Sequence, residues 1–285
     1  MIKEINIENI KELFRERNKE ANKGDFGKIG ILGGSINYSG AIKLANLSLT
    51  SLRSGCGLVR IIVPSKTVNM LGPYILEQTI FTYDSLEDIQ RAITDLNVLA
   101  VGMGWASKAE HLDILKYILI NFKGKIIIDA DGLNTLVGHL DLLKSSKANI
   151  LLTPHLKEFS RLTNIPIKEI KGQETSLTYT FAKENNVTVL LKGSTTVITD
   201  GKDIYLTKYG TPGMATSGSG DVLSGILAGL LGYLEFNLLT ISAGAILNGL
   251  SGEIATEKYT DISMISRDTI NCIPQAIKEI RKGEK

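Results

Sequence analysis

The chain has 285 residues, of which 43% are hydrophobic and 22% are charged. This composition is typical of a folded globular protein and is too apolar for a disordered one. The 32 Lys and Arg residues against 30 Asp and Glu leave a net charge of +2, so no bulk electrostatic attraction to nucleic acid or to a membrane is expected. Two cysteines, Cys56 and Cys272, cannot build a disulfide framework, which favours a cytoplasmic location.

The N-terminal segment, residues 1–25, is charged throughout and has no apolar core of signal-peptide length. We expect it to be a lead-in to one domain that covers residues 26–285. The uncharged stretches 222–234 and 236–252 fall short of the ~20 apolar residues that a membrane span needs, so they are predicted to be buried core helices.

Short apolar runs alternate with helical patterns along the chain. Runs that are apolar on both faces predict a parallel sheet covered by helices, which is an α/β fold. The predicted strands are residues 28–32, 57–63, 97–102, 125–130, 149–153 and 187–193, and the predicted helices are residues 40–52, 110–121, 133–144 and 176–185. Residues 195–200 and 204–210 then predict an antiparallel hairpin at the edge of the sheet.

The last third of the chain is predicted to be helical from Asp221 onward. Asp261 or Ser263 is the expected N-cap of a final amphipathic helix that ends at Lys282 and Gly283.

Many of the 28 glycines follow predicted strands. Gly33, Gly34 and Gly40 lie between the first strand and the first helix, and Gly102 and Gly104 follow a later strand. Ligands of open α/β sheets bind beyond the carboxyl ends of the strands, so these turns predict one crevice. For any single glycine, the requirement of a turn is the simpler explanation.

The stretch from Ser217 to Gly220 leads into a helix that is expected to start near Asp221. Free backbone N–H groups and the helix dipole would meet an anion there. An aspartate at a helix start is ordinarily an N-cap, yet beside a phosphate it fits a general base that deprotonates an attacking hydroxyl. We favour the base, although one carboxylate can do both. The chain has no GxxxxGK[ST] motif and no GxGxxG that opens a βαβ unit.

Six ordered motifs resemble those of the ADP- or ATP-dependent NAD(P)H-hydrate dehydratases, which belong to the ribokinase-like superfamily. The motifs are GGSINYSGA (33–41), VGMGWA (101–106), DADGLN (129–134), LLTPHLKEFSRL (151–162), LLKGSTTVITDG (190–201) and GTPGMATSGSGDVLSGILAGLL (210–231). The resemblance runs from about residue 24 to the C-terminus. It implies a three-layer αβα fold with a mostly parallel central sheet.

The resemblance implies a repair reaction that restores NADH or NADPH from the (6S) hydrate. A phosphoryl group is transferred to the ring hydroxyl, and phosphate is then eliminated. The expected co-substrate is ADP rather than ATP, with Mg²⁺ as cofactor, small molecules as the only other partners, and a homo-oligomer, often a tetramer, as the assembly. A fused epimerase domain, known in many relatives, would not fit in the residues ahead of Gly27.

The resemblance also implies roles for individual residues. Asp221 is the expected base and Gly220 the expected contact of the nucleotide phosphate. The other implied nucleotide-binding residues are Lys192, Gly193, Ser194, Thr195 and Thr196, and the implied substrate-binding residues are Ala41, Gly104 and His155 together with Asp221. From the residues alone, the KGSTT segment fits either a phosphate loop or a plain hairpin turn, and a lone histidine is as often a helix cap.

Several positions depart from the family pattern. Leu156 and Lys157 replace proline and glycine after His155, and Thr211 and Ser217 replace asparagine and glycine. Trp105 could stack on a ligand ring, although packing is favoured. Asn248 and Glu253 stand where a histidine and an aspartate are expected, and neither is assigned a catalytic role.

Asp129 and Asp131 of the DADGLN motif have two interpretations. They could help to hold a magnesium ion, or they could cap the helix expected from Leu133, which we favour.

Two other functions remain open from the sequence. One is a small-molecule kinase of the same superfamily that acts on a vitamin precursor alcohol such as hydroxyethylthiazole. The other is a catalytically silent nucleotide-binding regulator, against which the intact SGSGD segment argues.

Overall fold

A ten-stranded sheet forms the centre of the protein. The computed structural model describes residues 1–35, 49–71, 75–106 and 109–283. The strands are β1 (Ile2–Glu4), β2 (Lys28–Leu32), β3 (Leu58–Pro64), β4 (Thr79–Tyr83), β5 (Val98–Val101), β6 (Lys125–Ile128), β7 (Asn149–Leu152), β8 (Thr188–Leu191), β9 (Thr196–Thr199) and β10 (Ile204–Thr207). Their order is β1-β10-β9-β8-β7-β6-β5-β2-β3-β4. Only the β8–β9 and β9–β10 pairs are antiparallel among these strands.

Helices connect most of these strands. They are α1 (Ile7–Ile10), α2 (Leu49–Arg53), α3 (Val68–Leu71), α4 (Leu86–Ile93), α5 (Ala109–Asn121), α6 (Asp131–Leu136), α7 (Asp141–Lys144), α8 (Leu156–Thr163), α9 (Ile167–Ile170), α10 (Glu174–Asn185), α11 (Ser219–Tyr233), α12 (Leu238–Ser263) and α13 (Ser266–Lys282). The predicted α/β class and the mostly parallel sheet with its hairpin are therefore confirmed.

The helices cover the sheet on both faces, which explains why the strands are apolar throughout. In β6, Ile126 and Ile128 pack with α5, α8 and α10, whereas Ile127 faces α11 and α12. Neighbouring residues of a strand point to opposite faces, so each face of the sheet buries its own set of side chains. The result is a helix–sheet–helix arrangement of three layers.

The charged N-terminal segment contributes to the same structure. β1 pairs in parallel with β10, so it lies outside the predicted hairpin and forms the edge of the sheet. Ile5, Ile7, Ile10 and Phe14 are buried against the C-terminal helices. The polar residues of this segment lie on the surface.

Two details of the helix prediction are wrong. The expected helix over 133–144 is two short helices, α6 and α7, which are separated at Gly138, where φ is +80°. The final helix is not capped by Asp261 or Ser263: α12 has a kink at Thr260, where φ is +67°, before it ends at Ser263, and the N-cap of the final helix is Ile265. α13 starts at Ser266. The backbone N–H of Ile265, the residue before the helix, donates a 2.9 Å hydrogen bond to the carboxylate of Asp268. This helix ends at Lys282, as expected.

The long helix α12 is sufficiently long and apolar to cross a membrane by length and composition alone. However, 83% of its most apolar window is buried inside the protein. It packs between α11 and α13, and we therefore assign it to the core.

Candidate active site

Three consecutive strands end beside one another and present polar residues at the same edge of the sheet. Asp129 follows β6, His155 follows β7 and Lys192 follows β8. His155 and Lys192 form an isolated parallel bridge, in which the Lys192 N–H donates to the carbonyl of Pro154 at 2.9 Å. Parallel strands place their carboxyl ends together, and this topology brings distant parts of the chain into one site.

A largely buried ion pair lies at the centre of this site. The Lys192 Nζ lies 2.9 Å from Asp129 Oδ1 and 3.8 Å from Glu158 Oε2. Burial alone would lower the pKa of Lys192, but the two carboxylates outweigh it and the pKa is raised. The lysine is therefore a permanent cation.

Asp129 is held by several donors. Its Oδ2 accepts a 2.6 Å hydrogen bond from the hydroxyl of Ser224, and its Oδ1 accepts one from the backbone N–H of Ala130 at 2.9 Å. Asp129 is 2% exposed. Because its oxygens bind Lys192, Ser224 and Ala130, the carboxylate links the ends of two strands to α11.

The two interpretations of the DADGLN motif do not describe these contacts. The N-cap of α6 is Ala130, with φ at +51°, and no side chain caps this helix, so the favoured capping role is wrong. Asp131 instead accepts hydrogen bonds from the backbone N–H of Ala106 and the amide of Asn134. Among the described residues, no group of three or more His, Cys, Asp or Glu is placed to hold a metal ion. The oxygens of Asp129 are instead engaged by Lys192, Ser224 and the N–H of Ala130.

His155 is the N-cap of α8. Its Nδ1 accepts a hydrogen bond from the N–H of Glu158 at 3.1 Å, and its own N–H donates to Glu158 Oε2 at 2.8 Å. Burial, followed by the charge of Lys192, lowers the pKa of His155. The imidazole is thus neutral near pH 7, and its side chain is 47% exposed, so capping leaves the ring accessible.

The start of α11 faces the same edge. The helix begins at Ser219, and its N-cap is Gly218 with φ at +90°. Asp221 is the third helical residue, so the alternative that it serves as N-cap is wrong. Helix starts leave their first N–H groups without intrahelical acceptors and carry positive dipole charge. Two residues of the predicted anion site, Ser219 and Gly220, therefore form the first turn of this helix.

Asp221 has a strongly perturbed carboxyl group. Burial and then the charge of Asp129 raise its pKa, the charge of Lys192 opposes both, and the resulting pKa is about 7. Such a group exchanges a proton readily at neutral pH, which is the property that a general base requires.

A cleft of about 670 Å³ opens between the strand ends and α11. Six of the predicted site residues line it: His155, Lys192, Gly193, Ser194, Thr196 and Gly220. A Cβ on Gly220 would lie 3.4 Å from the Lys192 Nζ, so this helix start and the lysine are adjacent. Thr195 belongs to the same turn but is not among the lining residues, and Ala41 lies outside the described residues.

Gly104 lies in the loop after β5, at the same edge of the sheet. The preceding Gly102 has φ at +112°, and a Cβ there would come within 2.3 Å of the carbonyl oxygen of Asp129. Only glycine permits this approach. Trp105 is fully buried and stacks on His111, with ring centroids 4.5 Å apart, so the favoured packing role agrees with its position.

Sequence reasoning missed three parts of the site. Asp129 was considered only as a cap or a metal ligand, and Glu158 and Ser224 were given no role. A buried carboxylate after one strand and a lysine after another can signal an ion pair, but only when the strand order is known.

A family model described as NAD(P)H-hydrate dehydratase matches residues 29–275. The chain belongs to this family. The ADP-dependent (S)-NAD(P)H-hydrate dehydratases of Cenarchaeum symbiosum and Nitrosopumilus maritimus are 32% and 33% identical to it, over 98% and 96% of each chain. A bifunctional NAD(P)H-hydrate repair enzyme from Moorella thermoacetica is 31% identical over 93% of this chain. The chain spans about half (52%) of the length of that relative.

Solved structures share the fold of this NAD(P)H-hydrate dehydratase family member. A ribokinase-like superfamily protein from Enterococcus faecalis has a TM-score of 0.87 at 24% identity, with 98% and 96% of the two chains covered. The ADP/ATP-dependent NAD(P)H-hydrate dehydratase of Bacillus subtilis, co-crystallised with ATP and Mg²⁺, has a TM-score of 0.85 at 24% identity over 96% and 97%. The predicted ribokinase-like fold is confirmed.

Proposed function

We propose that the protein is a nucleotide-dependent NAD(P)H-hydrate dehydratase that restores NADH or NADPH from the (6S) hydrate. The observation that carries this proposal is Asp221, a carboxyl group with a pKa of about 7 in the first turn of α11. It lies beside the anion site at Gly220 and the cation of Lys192. Family membership and the ADP-dependent relatives support the same reaction.

The first proposed step is phosphoryl transfer. The Asp221 carboxylate takes the proton of the ring hydroxyl, and the hydroxyl oxygen attacks the terminal phosphorus of the nucleotide. When the nucleotide is ADP, the bond from that phosphorus to the bridging oxygen breaks, and AMP is the leaving group. The N–H groups at the start of α11 stabilise the negative charge that builds up on the phosphoryl oxygens.

The second proposed step is elimination. Hydroxide is a poor leaving group near neutral pH, whereas the phosphate ester formed in the first step leaves as phosphate. The lone pair of the ring nitrogen forms a C=N bond as the carbon–oxygen bond breaks. Loss of a proton from the neighbouring carbon then gives the dihydronicotinamide ring. An anion-binding kinase site therefore suits a hydro-lyase.

The nucleotide is proposed to bind along the 192–196 turn, with its phosphates at Gly220. Lys192 supplies charge, Gly193 permits close backbone approach, and Ser194 and Thr196 supply hydroxyl groups to the cleft. Thr195 is assigned to the same turn from the family motif.

The hydrated nicotinamide is proposed to bind at Ala41, Gly104 and His155 together with Asp221. The exposed and neutral imidazole of His155 can exchange hydrogen bonds with the carboxamide or hydroxyl of the ring. The positive φ of Gly104, +66°, lets the loop after β5 turn at this edge.

We propose ADP rather than ATP as the phosphoryl donor, because the relatives that match this chain over nearly the full length of both sequences are named as ADP-dependent enzymes. The oxygens of Asp129 already bind Lys192 and Ser224, so Mg²⁺ is proposed to arrive bound to the nucleotide phosphates, whose charge it partly neutralises. We further propose a cytoplasmic homotetramer. Light scattering of the purified protein tests the assembly.

The kinase alternative has weaker support. A hydroxyethylthiazole kinase from Pyrococcus horikoshii has a TM-score of 0.63 at 13% identity, a likeness that concerns the fold alone. The deciding experiment incubates the protein with hydrated NADH, Mg²⁺ and ADP or ATP, and follows the near-ultraviolet absorbance of reduced nicotinamide. Recovery of that absorbance, with AMP and phosphate as products, supports the dehydratase. Phosphorylation of hydroxyethylthiazole without recovery would support the kinase.

A further inference from the structure

Lys125 begins β6 at the edge of the sheet opposite the candidate site, and the proposed chemistry does not use it. Its half-buried ammonium donates two 2.7 Å hydrogen bonds, to the carbonyls of Leu231 and Leu234 at the end of α11. The last carbonyls of a helix lack intrahelical donors and carry negative dipole charge. A cation from the sheet therefore fixes the C-terminal end of the helix that carries Asp221.

The other end of α11 is tied to the same strand. The hydroxyl of Ser224 donates a 2.6 Å hydrogen bond to Asp129, the residue that follows β6. Lys125, Ile127 and Asp129 are alternate residues, so their side chains point to the same face of the sheet. Ile127 belongs to the same buried cluster as Leu227 of α11. The strand thus bonds to the helix at two points and packs against it between them.

The two points of attachment are equally far apart on the strand and on the helix. Lys125 and Asp129 are four residues apart, which is ~13 Å along a strand. Ser224 precedes Leu231 by seven residues and Leu234 by ten, which is ~10–15 Å along a helix. α11 therefore runs antiparallel to β6, and a shift along the strand would break hydrogen bonds at both ends.

Different hydrogen bonds tie α11 to its neighbouring helix. The hydroxyl of Ser51 on α2 donates to the carbonyl of Gly225, and the hydroxyl of Tyr233 donates to the carbonyl of Ser54, just after α2. These bonds remain when Lys125 is replaced, so we expect α11 to stay folded when its C-terminal anchor to the sheet is removed.

The position of α11 against the sheet sets the surroundings of Asp221. Four charged groups that influence its pKa belong to other elements: Asp129 after β6, Lys192 after β8, Glu158 on α8 and Asp131 on α6. Burial, followed by the charge of Asp129, raises the pKa of Asp221. Both causes require that α11 stay close to the end of β6.

We propose that Lys125 is a positioning residue for the reaction, an inference that rests on the proposed function. Its two hydrogen bonds hold α11 in register with β6 and thereby place Asp221 and Gly220 at the candidate site. Lys125 acts through the helix and not on the ligands. Rates of reaction are sensitive to small displacements of a reacting group, so a distant anchor of this kind affects turnover.

The first test is the titration of Asp221 in the ligand-free full chain, followed by carbon-13 NMR of its carboxyl group. Lys125→Met keeps the length of the side chain and removes its donor. As α11 loosens, Asp221 becomes more hydrated and more distant from Asp129, so its pKa should fall by ~1 toward the ordinary aspartate value. Lys125→Arg, which can donate to both carbonyls, should keep the wild-type pKa. If Lys125→Met does not fold, Lys125→Gln, which keeps a donor group, gives the same comparison.

The matched control is Arg281→Met. Arg281 likewise donates from a long cationic side chain to two backbone carbonyls, those of Phe14 and Arg15 in the N-terminal segment. Chemical denaturation should show a loss of stability in both methionine variants, whereas only Lys125→Met should change the pKa of Asp221. An unchanged pKa in Lys125→Met, or an equal change in Arg281→Met, would overturn the proposal.

Steady-state kinetics of the same variants tests the consequence for the reaction. Lys125→Met should lower kcat ~10-fold or more, and the acid limb of its kcat profile should move to lower pH with the pKa of Asp221. The NMR titration needs no turnover, which separates the proposal from the catalytic function. A lowered pKa in a protein that does not restore NADH would support the anchor and contradict the dehydratase. Recovery of NADH with unchanged kcat and pKa in Lys125→Met would support the dehydratase and overturn the role of Lys125.

Discussion

The Lys192 ammonium lies 2.9 Å from the buried carboxylate of Asp129, at the edge of the sheet that faces Gly220 in the first turn of α11. The lysine therefore neutralises an internal carboxylate and also faces the first turn of α11, where we propose that phosphate binds. The same two charges act in opposite directions on Asp221, since Asp129 raises its pKa and Lys192 lowers it. The reactivity of Asp221 thus depends on a pair of residues that lie outside its own helix.

Asp221→Asn should reduce turnover by ~10²-fold or more, the usual effect of losing a general base. The amide keeps the shape of the side chain, so ADP affinity should be nearly unchanged. Steady-state kinetics and ADP titration measure the two effects. Unchanged turnover would contradict the assignment of Asp221 as the base.

The wild type should lose activity as the pH falls below about 7, because protonated Asp221 cannot accept the hydroxyl proton. Asp129→Asn removes a charge that raises this pKa, so the acid limb of the kcat profile should move to lower pH. Lys192→Met should move it to higher pH. Shifts of both variants in the same direction would refute the electrostatic coupling.

Lys192→Met should also destabilise the protein, because it leaves Asp129 as a buried charge without its cation. Removal of one partner of a buried ion pair typically costs ~3–5 kcal/mol. The double variant Asp129→Asn with Lys192→Met should recover most of this loss. Chemical denaturation of both single variants and the double variant measures the coupling, and purely additive losses would contradict it.

Much of the fold follows from the sequence, because strands that are covered on both faces must be apolar throughout. β2 is found at the residues predicted, Lys28–Leu32. β1 and β4 were missed for a physical reason: they are the two edge strands. β1 is three exposed residues, and β4 buries only part of its length, so neither carries a continuous apolar run.

The site was less predictable because its contacts are not local. Capping is a relation between neighbours in sequence, and it was the natural interpretation of Asp129. The actual partners of Asp129 are Lys192, 63 residues away, and Ser224, 95 residues away. Their meeting depends on the order of β6, β7 and β8 and on the position of α11, which no local pattern specifies.

Gly220→Ala should separate nucleotide binding from stability. Gly220 has helical geometry, so alanine should stabilise the fold by about 0.4–1 kcal/mol. Its methyl group would lie 3.4 Å from Lys192 Nζ and 4.0 Å from Asp129 Oδ2, in the space assigned to phosphate. We expect a ~10-fold or larger increase of the KM for ADP, a loss of ~1.4 kcal/mol in binding.

The matched control is Gly218→Ala. Gly218 has φ at +90°, a conformation that costs alanine about 1–2 kcal/mol, so this variant should unfold at a lower temperature than the wild type. Thermal unfolding with ADP kinetics measures both variants. If the Gly220→Ala variant is stabilised and its KM for ADP is unchanged, phosphate does not bind at this helix start.

His155 combines a helix cap with an exposed ring, and two substitutions should separate these roles. Asparagine is a good N-cap, so His155→Asn should keep the stability of the protein while raising the KM for the hydrate. His155→Ala should raise the KM similarly and also lose ~1 kcal/mol of stability through the missing cap.

The titration of His155 adds a pH dependence to this comparison. Its pKa is lowered in the folded state, so the folded protein favours the neutral ring. The corresponding stability is present above the unfolded pKa of ~6.5 and declines as the pH falls below it. Urea unfolding of the wild type and His155→Asn between about pH 5 and 8 measures this loss of stability at low pH, which only the protein with the histidine should show. An identical pH dependence in both proteins would mean that the ring is equally solvated in the folded and unfolded states, and would leave its cap as its one structural role.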